Sequence, residues 1–85
     1  MTADQLRSLI AAGLPCLHLD VHGDGRHWSA VIVSGEFEGK RLIARHQRVY
    51  ATLGERMHTD EVHALSMKTF TPAEWQAHQA QGGAA

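Results

Sequence analysis

The stretch from Val62 to Trp75 leaves the chain few choices. Leu65, Met67 and Thr69 alternate with Ala64, Ser66 and Lys68, so a strand here has one more apolar side. It runs without a break into Thr71-Pro72-Ala73-Glu74-Trp75. Thr71 suits a helix N-cap, Pro72 the first helical position, and Glu74 the return bond of a capping box. The strand therefore ends where a helix begins. His63 stands at the strand entry, in register with Leu65 and Met67, an edge position from which one ring nitrogen can face outward.

The rest of the chain supplies partners for that unit. Thr2 to Ala12 reads as an amphipathic helix, with Thr2 and Gln5 as a capping box and Leu6, Leu9 and Ile10 as its stripe. Gly13 and Pro15 end it. From Cys16 to His22 the pattern alternates: Leu17, Leu19 and Val21 on one side, Cys16, His18, Asp20 and His22 on the other. Gly23-Asp24-Gly25-Arg26 is a turn, and His27 to Ser34 a second strand opened by Trp28, so the two should form a hairpin. Gly35 to Gly39 is a loop anchored by Phe37. Lys40 to Leu53 is the longest helical pattern, with Leu42, Val49, Tyr50 and Leu53 sharing a face that includes His46, and Gly54 closes it. Thr59-Asp60-Glu61 suggests a short turn. Gln76 to Gln79 extend the last helix, and residues 1–4 and 80–85 are expected to fray.

This order predicts an α+β fold, αββα(α)βα, in a single domain over residues 1–85: a three-stranded mixed sheet with helices packed on one face. The helix between the second and third strands makes a crossover, so those strands should run in the same direction. The other face, with His18, Asp20 and His22, should be wetter.

Composition narrows the functional classes. Eighty-five residues allow one small core, and a stability of order 5 kcal/mol. A formal charge of −1 gives no global field toward nucleic acid or membrane. No run is long enough to span a bilayer and no signal peptide is visible. One cysteine, Cys16, excludes an internal disulfide and fits a reducing cytoplasm. Seven histidines favour metal binding or a pH response.

Individual residues sort by chemistry. His18, Asp20 and His22 suggest zinc, yet alternate strand residues lie about 6–7 Å apart, too spread for an unassisted tetrahedral site. His46 fits a buried, hydrogen-bonded structural histidine. Cys16 is an ordinary strand residue, and Trp28, Phe37, Tyr50 and Trp75 are core or core-edge residues. Lys40, Arg41, Arg45 and Arg48 form a basic helix face that is solvated, docks a partner or touches phosphates. No Ser-His-Asp, Cys-His or paired-carboxylate arrangement indicates an enzyme.

Five motifs together carry a family resemblance: Gly23-Asp24-Gly25-Arg26-His27-Trp28, Phe37-Glu38-Gly39, Arg45-His46-Gln47-Arg48-Val49-Tyr50, Val62-His63-Ala64-Leu65-Ser66 and Thr71-Pro72-Ala73-Glu74-Trp75. Over nearly the whole chain they resemble the BolA family, and its short bacterial branch most. The resemblance implies a type II KH-like fold. It implies a monothiol glutaredoxin partner, of the Cys-Gly-Phe-Ser kind, with which a [2Fe-2S] cluster is shared. The partner's cysteine and glutathione then supply thiolates, and this chain supplies His63 and a second ligand. His27 corresponds best to that second ligand; His22, across the same turn, is the alternative. The isolated chain is expected to carry no cofactor and to be a monomer or weak homodimer. The family is also assigned a role in DNA-binding transcriptional regulation of stress, for which Lys40, Arg41, Arg45 and Arg48 are the candidates. The KH-type Gly-x-x-Gly loop is not visible, since Gly35 to Gly39 has the wrong spacing. Imidazole is a competent ligand for cluster iron, but two histidines alone cannot hold a cluster.

Overall fold

The Gln5 N–H donates to Thr2 Oγ1 at 3.1 Å, and the Thr2 N–H donates to Gln5 Oε1 at 2.8 Å. That reciprocal capping box starts α1 (Ala3–Gly13). The ordered helix thus takes in Ala3 and Asp4, residues expected to fray. The computed structural model describes residues 2–54 and 65–82. After α1 come β1 (His18–Gly23), β2 (Trp28–Val33), a 3-10 turn at Gly35–Phe37, α2 (Leu42–Leu53), β3 (Leu65–Phe70) and α3 (Pro72–Ala80). The expected short turn at Thr59-Asp60-Glu61 and the strand start at Val62 lie outside the described residues.

The sheet order is β1-β2-β3. β1 and β2 are antiparallel, from His18↔Val33 to Gly23↔Trp28. β2 and β3 are parallel and adjacent, from Trp28↔Leu65 to Val33↔Phe70. The crossover through α2 therefore has the expected direction. Alternation sets the core face: Trp28, Ala30 and Ile32 are buried on β2, flanked by Leu19, Val21, Leu65 and Met67. Leu6, Ile10 and Leu14 cover it from the α1 side, and Val49 and Leu53 from α2. Phe37, the loop anchor, is fully buried among them.

Two apolar assignments shift at element ends. β1 begins at His18 rather than Cys16, and Leu17 is 69% exposed. α2 begins at Leu42 rather than Lys40, and Leu42 is 62% exposed. The stripe on α2 thus runs through Val49 and Leu53, while its first turn lies beyond the core. His46 keeps its place on the helix, but its Nε2 is buried without the expected hydrogen-bond partner.

α1 and α2 share one face, as expected; the last helix departs from this. Thr71 and Glu74 form the expected capping box at 2.8 and 3.1 Å, with Pro72 at the helix start. Trp75 then stacks on His18 at 4.8 Å between ring centroids, and meets Phe70 edge-on at 5.2 Å. His18, Val33 and Phe70 form one row across the sheet, of opposite parity to the core residues. So α3 closes one end of the second face, and Val33 is fully buried there. The wetter part of that face is confined to exposed Asp20, His22, Ser29, Ser66 and Lys68.

Candidate functional site: the hairpin tip

The hairpin tip is built by Asp24. One carboxylate oxygen, Oδ1, accepts from the N–H of Arg26 and from the N–H of His27, each at 2.9 Å. The Asp24 N–H in turn donates to the His27 carbonyl at 3.3 Å. Gly25 takes φ +95°, a left-handed conformation that suits glycine. Asp-Gly turns form because the short carboxylate bonds backbone N–H groups further along. Those N–H bonds, His27 first and Arg26 next, hold the Asp24 carboxyl below its ordinary range. Trp28 follows, 3% exposed. Alternation then turns the neighbouring His27 side chain outward, and it is exposed.

His22 sits differently. It pairs with Ser29 inside the ladder and lines a shallow depression on the second sheet face with Ser29, Val31, Ser66 and Lys68. The tip residue is thus His27, while His22 belongs to the sheet surface. His63 lies outside the described residues. Leu65, two positions after it, pairs with Trp28, the residue after His27.

The other candidates separate. His18 Nε2 and Asp20 Oδ2 lie 2.9 Å apart. Among the described residues no three of His, Cys, Asp and Glu are grouped to hold a metal ion. Cys16 donates its thiol to the Leu14 carbonyl at 3.2 Å, and burial pushes the thiol's pKa upward, which opposes thiolate formation.

The basic helix face divides in two. Lys40 and Arg41 are exposed. Arg45 instead grips Glu74 with both terminal nitrogens at 2.7 and 3.2 Å, and donates to the carbonyls of Lys40 and Thr69 at 2.9 and 3.3 Å. The bidentate bond to Arg45, followed by the Thr71 N–H, lowers the Glu74 carboxyl to about 2. Arg48 bonds Glu36 and the Gly13 carbonyl, both at 2.9 Å. Two of the four cations therefore fasten elements together.

Sequence reading missed Asp24 as the organiser of the tip. The available signal was the Asp-Gly pair three residues before a histidine.

A family model for the BolA-like protein matches residues 13–74. The chain belongs to the BolA family. It is 33% identical over 75 residues to the acid stress protein IbaG of Escherichia coli, covering 88% of this chain and 89% of that one. It is 43% identical over 61 residues to the DNA-binding transcriptional regulator BolA of Haemophilus influenzae, covering 72% of this chain and 58% of that one. Among solved structures, a BolA homologue from Coxiella burnetii superposes with a TM-score of 0.76 at 38% identity, over 89% of this chain and 97% of the other. Among the described residues no helix is long and apolar enough to cross a membrane.

Proposed function

We propose that this protein is an adaptor that binds a monothiol glutaredoxin and co-ligates a [2Fe-2S] cluster through His27 and His63, serving iron–sulfur trafficking in the cytoplasm. The observation that carries this reading is the β2–β3 register. Trp28↔Leu65 aligns the strand end that follows His27 with the strand end that follows His63. Strand β2, which starts one residue after His27, and strand β3, whose first residue Leu65 comes two after His63, thus begin side by side at one end of the sheet.

The donor set fits half of such a site. His27 is exposed on a fixed backbone and offers a nitrogen with the right affinity for cluster iron. The remaining ligands come from the partner's cysteine and glutathione. When bound, the cluster supplies electron storage and a transferable iron–sulfur unit. This chain's task is to present neutral imidazole, so binding should weaken as the histidines protonate.

Mixing the protein with cluster-loaded monothiol glutaredoxin and recording visible circular dichroism tests the reading. His27→Ala and His63→Ala should each change the spectrum, and His22→Ala should leave it as it was. An unchanged spectrum with His63→Ala removes that residue from the coordination sphere. An unchanged spectrum with both removes the reading.

DNA binding is the second reading, favoured by the likeness to the DNA-binding transcriptional regulator of Haemophilus influenzae. Arg45 and Arg48 are already bonded to Glu74 and Glu36, which leaves Lys40 and Arg41 for phosphate. Two phosphate contacts give a slope of log affinity against log salt of about −2. Lys40→Ala with Arg41→Ala should flatten it. A slope near zero in the parent protein rules out phosphate contact.

A further inference from the structure

We infer that Asp24 is a positioning residue: its carboxylate clamps the hairpin tip and so sets where the His27 imidazole points. The inference rests on the reading of His27 as a cluster ligand.

The geometry around His27 is closed on both sides of its backbone. Its N–H donates to Asp24 Oδ1 at 2.9 Å, and its carbonyl accepts from the Asp24 N–H at 3.3 Å. One residue thus holds both polar backbone groups of the next-but-two residue. The Arg26 N–H, bonded to the same oxygen at 2.9 Å, fixes the preceding peptide. On the far side Trp28 is buried. A histidine between a buried tryptophan and a clamped peptide has few backbone degrees of freedom left. Its side-chain rotamers then start from one fixed Cα–Cβ direction.

That matters for an exposed ligand. Among the described residues none bonds the His27 ring, so the backbone clamp is what orients it there. A loop free to sample many conformations would make the ligand available only part of the time, and apparent affinity falls by that fraction. Ordering the tip in the free protein removes the cost before the partner arrives. The contacts come from the side chain's shape: one oxygen, two N–H groups, a ring closed by a single methylene. Asparagine carries a carbonyl oxygen at the same reach. Glutamate keeps the charge but lengthens the ring.

The experiment uses the full chain, alone and mixed with cluster-loaded monothiol glutaredoxin. In the free protein, Asp24→Ala should speed amide exchange at Arg26 and His27 while the core amides stay protected. In the mixture, Asp24→Ala should weaken formation of the cluster-bridged complex roughly fivefold, the equivalent of one lost capping bond. Asp24→Asn should restore affinity to within about twofold of the parent, and Asp24→Glu should behave like alanine. Adding Asp24→Ala to His27→Ala should cost nothing further, because the clamp acts only through that imidazole.

Parent-like affinity with Asp24→Ala, while His27→Ala changes the spectrum, overturns the positioning role and leaves the ligand reading standing. Full rescue by glutamate and none by asparagine overturns it in favour of charge alone. An additive loss in the double variant overturns it in favour of general loosening. If His27→Ala alters neither spectrum nor affinity, the ligand reading itself fails and the positioning role falls with it.

Discussion

Phe37→Ala should leave little folded protein at room temperature. Phe37 is fully buried, yet it belongs to no strand or long helix: it projects from a single 3-10 turn into the main core. The turn is fastened at its start, where Ser34 Oγ accepts from the Glu36 N–H at 3.2 Å and donates to the Pro15 carbonyl at 2.7 Å. At its end, the Lys40 N–H donates to the Phe37 carbonyl at 3.0 Å. The side chain cannot be replaced by relaxation of a neighbour without dragging this fastened turn inward. Removing a buried phenylalanine costs about 3–5 kcal/mol, and a domain of this size holds only about 5 kcal/mol in total. Far-UV circular dichroism against temperature should show a melting transition lost or moved far down, with Phe37→Leu retaining a cooperative one. A fall of less than about 5 °C would mean that the turn collapses to fill the space and that Phe37 is not a principal anchor.

That anchor was legible because Phe37 is the one apolar residue between Gly35 and Gly39, and burying so large a side chain is strongly favourable. The two capping boxes were legible for the same local reason: Thr2 with Gln5, and Thr71 with Glu74, interact across three residues. The direction of β3 followed from the crossover alone. What sequence could not supply was contact between distant segments. Arg45 and Glu74 are twenty-nine positions apart, so a basic helix face read as four available cations became two. Trp75 stacking on His18 couples the last helix to the first strand, and no periodicity records such a pairing. Leu17 and Leu42 had the right spacing for burial and still ended exposed. Each stands at an element's edge, where period predicts direction but not whether the core extends that far. For the candidate site, the family resemblance pointed to His27 with His22 as the alternative; telling their positions apart needed the ladder, which places His22 opposite Ser29.

Gly23→Ala should destabilise the protein although it replaces glycine in a strand, and the sign is the informative part. Glycine inside a strand normally costs about 0.5–1 kcal/mol relative to alanine, so a neutral site would gain stability. Here a methyl group would lie 2.6 Å from the His27 carbonyl oxygen and 2.9 Å from Trp28 Cγ, with Trp28 Cδ1 closer still. The first is backbone held by Asp24, and the second is an indole buried in the core. Neither is the free end of a flexible side chain. One of them must move, at a cost of about 1–3 kcal/mol. If Trp28 moves, the core loosens and the melting temperature falls. If the His27 carbonyl moves, the Asp24 bond breaks and the tip turns, so the spectrum of the cluster-bridged complex should change as well. Measuring both separates the two routes. A melting temperature equal to or above the parent's would show that the close approach is slack, and that Gly23 could be any small residue.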